Sequence, residues 1–80
     1  MWRNKILKKY RIMKWIGNDG NWSNVDNWEF NRLPEENDVL YFKDETVLID
    51  CYAVCKEIVG EPEFFGVGDC SLIVDGIKWL

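Results

Sequence analysis

The chain has no histidine, and among its 80 residues that absence removes more chemistry than any other. Nucleophile–base arrangements need an imidazole or a substitute base to accept a proton. Without histidine, the sequence reads as non-enzymatic. Cysteine is scarce too: Cys51, Cys55 and Cys70 are an odd count, which fits a reducing compartment. A closed zinc site built on these three would need a carboxylate as fourth ligand, an uncommon choice. Free thiols that behave as small hydrophobes are therefore expected. A Cys51–Cys70 or Cys55–Cys70 disulfide is reserved for an oxidising medium. No metal and no cofactor is expected.

Long apolar runs are also missing. Residues 1–16 carry a charge every two or three positions, so the roughly 7 to 15 apolar residues of a signal peptide are not present there. Nothing approaches the roughly 20 apolar residues of a membrane helix. A membrane partner is not expected, and the expected location is a virion, or the host cytoplasm before assembly.

Length sets further bounds. Large catalytic barrels need about 200 residues or more, and a dinucleotide-binding domain needs many strand–helix units; both are excluded. With 48% hydrophobic and 15% aromatic residues the chain is globular. A domain this short buries only about 60 to 65% of its unfolded surface. It needs dense aromatic packing, crosslinks or a partner.

Acidic residues are missing from one region only. Residues 1–14 hold no acid but six of the ten basic residues: Arg3, Lys5, Lys8, Lys9, Arg11 and Lys14. The rest of the chain sets four basic residues against all fourteen acids, a net −10. We read residues 1–14 as a basic arm and 15–80 as a single small β domain. Residues 15–38 form its capping loop and 39–80 its strands. The arm interleaves Trp2 and Tyr10 with its charges, a pattern compatible with nucleic acid. However, a body of −10 repels a polyphosphate beyond the arm's reach. A protein partner with an acidic surface fits Trp2, Arg3, Lys5, Lys8, Lys9, Tyr10 and Arg11 better. Neutralisation of the chain's own acidic body is the plainer alternative.

Periodicity supports a helix through Trp2, Ile6 and Tyr10 or a strand over residues 10–16. The arm is expected to run into a strand near Met13–Ile16. Residues 17–38, GNDGNWSNVDNWEFNRLPEEND, are rich in turn formers yet contain Trp22, Trp28, Phe30 and Leu33. Such a loop is expected to fold over the end of a core, its indole N–H groups bonding loop carbonyls. Ser23 is expected to cap a short helical turn over Val25–Trp28. Pro34 is expected to lead into the next strand.

From Asp38 the chain alternates as short strands: 38–42, 46–50, 53–59, 64–67, 70–74 and 77–80. Val47 and Ile49 share one face, as do Leu72 and Val74. Asp75-Gly76 is a hairpin signal, although the spacing also permits stacked rungs. The fold class is all-β: a short β-solenoid-like or small β-sandwich body. Two rungs fit the length, fewer than the roughly three that a free-standing stack needs. Trp79 and Leu80 are expected to seal the core or to enter an interface.

Other chemistry finds little footing. Glu35, Glu36 and Asp38 could pair for glycoside cleavage but read as a solvated acidic turn. Asp19, Asp26 and Asp69 lack the spacing of a calcium loop. Gly17, Gly20, Gly66 and Gly68 do not form a phosphate cradle.

The segments Trp15-Ile-Gly17, Gly20-Asn-Trp22-Ser, Asn27-Trp28, Pro34 and Asp38-Val-Leu-Tyr-Phe42 together resemble the opening pattern of right-handed β-solenoid proteins. That pattern occurs in bacterial surface proteins and in virion proteins of tailed phages. The resemblance covers about residues 13–50, and Leu72–Gly76 resembles a rung ending. It implies a structural cap in which Trp15, Trp22, Trp28 and Phe30 cover the first rung and Pro34 to Asp38 leads into the sheet. The function expected is an accessory structural protein of a phage or prophage particle: a capsid decoration or cement subunit, or a tail adaptor. Such a subunit would be homo-oligomeric. One alternative is a small acidic inhibitor of a host nucleic-acid enzyme, presenting Glu35, Glu36, Asp38, Asp44 and Glu45. Another is a carbohydrate-binding module using exposed tryptophans.

Overall fold

The computed structural model describes residues 10–80. Nine strands follow one another: β1 (Arg11–Lys14), β2 (Gly20–Asn21), β3 (Asp38–Tyr41), β4 (Thr46–Ile49), β5 (Tyr52–Cys55), β6 (Glu57–Val59), β7 (Glu63–Gly66), β8 (Ser71–Val74) and β9 (Ile77–Lys78). The fold is all-β; the one helical segment among the described residues is a 3-10 turn at Val25–Asn27. Three small sheets form, ordered β1-β3-β6, β2-β4-β7 and β5-β8-β9. Every pairing is parallel except β8 with β9. The chain therefore visits each sheet in turn and comes back one strand further along. β3-β4-β5 make one full turn, β6-β7-β8 the next, and β1-β2 begin the turn before them.

The register shows where residues were added. Arg11 faces Asp38 and Gly20 faces Val47, a step of 27 residues. From the second turn to the third the step shrinks to 17–19 residues (46 to 63, 39 to 57, 52 to 71). The extra length of the first turn is the loop after β2. Side chains alternate along each strand, so one residue in two faces inward. Parallel pairing then stacks these into columns: Met13 on Leu40 on Ile58, Ala53 on Leu72, Cys55 on Val74. Met13, Leu40, Val47, Ile49 and Leu72 have no exposed surface.

Several boundaries differ from the sequence reading. Arg11–Lys14 pair with β3, so four residues assigned to the basic arm belong to the β domain. Tyr10 is exposed, its ring centroid 5.0 Å from Lys56 Nζ. Trp2, Arg3, Lys5, Lys8 and Lys9 lie outside the described residues. The run 53–59 is two strands with a corner at Lys56, whose amide donates to the Asp38 carbonyl (2.8 Å). Alternation alone cannot reveal a corner that uses neither glycine nor proline. The corner at Gly60 has a clearer signature: φ is +113°, and a Cβ there would run into the Phe42 carbonyl. Asp75 and Gly76 both hold positive φ (52° and 77°), the requirement of a type I′ hairpin turn, and they fold β9 back onto β8.

All three cysteines are free thiols. Cys55 is buried, and burial pushes its pKa up to about 12; burial also raises that of Cys51. Thiolate is the reactive form, so a soluble disulfide reagent at pH 8 should modify Cys55 last of the three in the native protein. All three should react at once in denaturant. Mass spectrometry of partly labelled protein reads the order, and early labelling of Cys55 would contradict this core assignment.

Candidate functional site

The two ends of the stack are built differently. Above β1 lies the loop 22–37, and its tryptophans fill the space inside the first turn. Trp28 has no exposed surface, Trp22 has 1% and Trp15 has 5%. The Trp28 ring meets Trp15 edge-on at 4.9 Å and Trp22 at 5.0 Å between centroids. Edge-to-face contacts of this kind exceed simple area burial by about 0.5–1.5 kcal/mol each. Two indoles close polar valences as expected: Trp28 Nε1 donates to the Trp22 carbonyl (2.9 Å) and Trp15 Nε1 to the Asn18 carbonyl (2.6 Å). Phe30 is the exception. It is 55% exposed and takes no part in the cap core, and Leu33 is exposed as well. Pro34 is buried.

The same loop covers the Lys14 end of the free edge of β1. Glu29 donates its amide to the Lys14 carbonyl (3.0 Å), and its carboxylate accepts from the Lys14 amide (3.0 Å). Ile16 donates to the Asn27 carbonyl (2.8 Å), and Trp15 and Trp28 form an antiparallel bridge. The stretch from Lys14 to Ile16, satisfied in this way, cannot template another strand. The 3-10 turn is capped by Asn24, whose side chain accepts from the Asp26 amide (3.0 Å), not by Ser23. Ser23 is engaged elsewhere: its amide (3.1 Å) and hydroxyl (2.6 Å) donate to Asp50, joined by Asn21 (3.0 Å). Burial raises the pKa of Asp50, but the bonds from Ser23 and Asn21 outweigh it and hold the carboxyl below its usual range.

Asp38 is the one fully buried charged residue among those described. Arg32 donates to both its oxygens (2.8 and 3.3 Å), the Glu35 amide adds a third bond (2.7 Å), and Arg11 lies at 3.4 Å. Desolvation pushes its pKa up, but the Arg32 and Glu35 bonds and the charges of Arg32 and Arg11 prevail, so the net shift is downward. The solvated acidic turn expected at Glu35, Glu36 and Asp38 is thus corrected for Asp38 alone, since Glu35 and Glu36 are exposed. Asp38 sits inside an ion pair that clamps the loop to β3, and Glu35 pairs with Arg11 at 2.8 Å. One signal for this lay in the sequence: an arginine six residues before the aspartate, across a proline.

The far end is open. Among the described residues β6 and β7 are terminal in their sheets, with no strand beyond them, whereas β9 covers β8. Val59 accepts from Phe42, and Glu61, Glu63 and Val67 donate back to the second turn, so one side of this edge is paired. By the alternation of a parallel ladder, the intervening groups face outward. Phe65, Val67 and Ile77 are exposed there. Trp79 is half exposed, its ring 6.5 Å from Phe64, and Leu80 keeps 38% of its surface in solvent. They border the open end, where Trp79 donates its amide to the Leu72 carbonyl (2.8 Å). An aromatic file links the two ends, from Trp28 through Phe42 and Phe64 to Trp79. Residues 57–77 add Glu57, Glu61, Glu63, Asp69 and Asp75 with no basic residue among them.

Two shallow grooves of about 320 and 450 Å³ mark the surface. The first runs past Glu36, Val54, Lys56, Ile73 and Asp75, and its only cation is tied to Asp75 (2.7 Å). No cluster of metal-ligating residues occurs among the described residues. Comparison with protein-family models, with curated proteins and with solved structures found no match for this chain.

Proposed function

We propose that this protein is a non-enzymatic structural subunit, one that works by joining other proteins in a particle. The observation that carries this reading is the difference between the ends. One end of the stack is covered by the loop and its indoles; the other, among the described residues, leaves strand edges and aromatic side chains uncovered. Monomeric proteins usually cover, charge or shorten such edges, and exposed apolar groups rimmed by charge mark interaction surfaces. A virion of the phage type is the assembly that the resemblance of residues 13–50 supports, with the basic residues before β1 set against an acidic protein surface.

The other readings draw less support. A sugar site built on the loop would need exposed indoles, and Trp22 and Trp28 are buried, which leaves only the half-exposed Trp79 among the described residues. A phosphate-backbone mimic loses Asp38 to burial, while Glu35 is paired with Arg11. The test is biochemical. Particles released from producing cells, banded on a density gradient, should carry this chain in fixed stoichiometry, and molar salt should strip it from them. Its absence from the particle band, with the chain recovered only in the soluble fraction, would overturn the proposal.

A further inference from the structure

Cys51 and Cys70 occupy the same position on successive turns of the stack. β5 and β8 pair with Tyr52 opposite Ser71 and Ala53 opposite Leu72, so the residues just before these strands, Cys51 and Cys70, stand opposite each other in the same register. The Ser71 amide donates to the Cys51 carbonyl (3.2 Å), which carries the pairing back to this step. Alternation puts Cys51 on the inward face with Ala53 and Cys55, and Cys70 on that face with Leu72 and Val74. Both thiols pack against the core yet stay partly open to solvent. Neighbouring strands lie about 4.7–4.9 Å apart, inside the roughly 4.4–6.8 Å between Cα atoms that a disulfide spans. Burial, the Asp50 carboxylate and the charge of Cys70 all push the Cys51 pKa up, the last as expected of adjacent thiols. We infer that Cys51 and Cys70 are a thiol pair that a soluble disulfide oxidises to a crosslink between the second and third turns.

The same register excludes the other pairings. Cys55 is buried opposite Val74, and four residues of strand place it about 13 Å from the level of Cys51 and Cys70. Of the two disulfides that the sequence permits, only one is within reach. Exchange proceeds in two steps. A thiolate of the pair attacks one sulfur of the reagent, forming a mixed disulfide and releasing one reagent thiol. The neighbouring thiolate then attacks the protein sulfur of that mixed disulfide and expels the second reagent thiol. The pair loses two electrons, the reagent gains them, and the two thiol protons end on the two released thiols. A cytoplasm keeps such pairs reduced, whereas an oxidising medium lets them close.

Closure has a structural consequence because of what it encloses. Residues 51–70 contain β5, β6 and β7, so the bond makes a covalent ring of one circuit of the stack. It fastens the third turn, whose β6 and β7 edges carry no further strand among the described residues, to the second. Gly66 leaves the room this needs: a Cβ there would come within 2.8 Å of Cys70 Sγ. The inference does not depend on the structural role proposed above.

The test treats full-length native protein with oxidised glutathione, alkylates the remaining thiols in denaturant and maps the product by mass spectrometry. The expected product is a single chain lighter by two hydrogens, with Cys51 joined to Cys70 and Cys55 alone alkylated. Its thermal midpoint should lie about 10–20 °C above that of the same protein in dithiothreitol, the shift expected for a crosslinked loop of this length in a small domain. Cys51→Ser and Cys70→Ser should each lose both the bond and the redox dependence of the midpoint, while Cys55→Ala keeps both. Circular dichroism of the reduced variants checks their folding, and mapping of the wild type decides the pairing without any substitution. Unreacted thiols, lasting glutathione adducts at Cys51 or Cys70, a bond that includes Cys55, or crosslinked dimers would each overturn the inference. So would a midpoint that oxidation leaves unchanged or lowers.

Discussion

Trp28→Ala should lower the thermal midpoint by about 15–30 °C. The expectation follows from what the indole does. Its side chain is fully buried against Trp15, Trp22 and Phe42, and its Nε1 satisfies the Trp22 carbonyl. Truncating a buried aromatic costs about 3–5 kcal/mol, from lost transfer energy and the cavity left behind. A carbonyl left without its donor adds about 1–3 kcal/mol if water cannot reach it. In a domain of this size, each kcal/mol moves the midpoint by roughly 4–8 °C. Total stability of small domains is on the order of 5–10 kcal/mol, so the variant should be substantially unfolded at 37 °C. Phe30→Ala is the matched control. That side chain is an aromatic of the same loop but is exposed, and its loss should change stability by no more than about 0.5 kcal/mol. Thermal melts followed by circular dichroism decide the matter, and equal effects from the two substitutions would refute the division between cap core and loop surface.

The second large effect is expected at Arg32. Removing one partner of a fully buried ion pair costs about 3–5 kcal/mol, an upper bound here because Arg32 is partly exposed and Asp38 keeps other partners. Arg32→Ala would leave Asp38 buried with the Glu35 amide and the longer Arg11 contact. The pH dependence follows from the sign of the shift. In the wild type the folded Asp38 pKa lies below its ordinary value of 3.8. Its contribution to stability is therefore complete above that value and is lost as pH falls through the lower folded pKa. Asp50 is shifted the same way and adds to the same acidic window. Without Arg32, burial becomes the stronger influence on Asp38, and its pKa moves upward. Acid unfolding should then begin at higher pH than in the wild type. The double variant Arg32→Ala/Asp38→Asn should be more stable at pH 7 than Arg32→Ala alone, since the unpaired charge is gone. Chemical denaturation at pH 7 and acid titration of the three proteins measure these effects. A single variant as stable as the wild type would show that the pair does not clamp the loop.

Both effects sit in a loop whose composition had already marked it. Turn-forming residues cannot by themselves hold Trp22 and Trp28 out of water, so a capping role was legible from residue types alone. Distinguishing Trp28 from Phe30 was not. They stand two residues apart, and only the 3-10 turn and the bonds from Glu29 to Lys14 turn one inward and leave the other in solvent. The burial of Asp38 is hidden in the sequence for a related reason. Its neighbours Glu35 and Glu36 make the local sequence look solvated, while the partners that bury it come from residues 11 and 32.

Local alternation and turn chemistry were enough to determine an all-β chain, its short strands, the Asp75-Gly76 turn and the segregation of charge. These depend on residues within a few positions of one another, and a sequence displays those directly. Which strands pair, where the chain turns a corner at Lys56, and which end of the stack stays open were decided only by tertiary structure. Parallel partners lie 17 to 27 residues apart, and a pairing over that distance is selected by how whole turns bury one another.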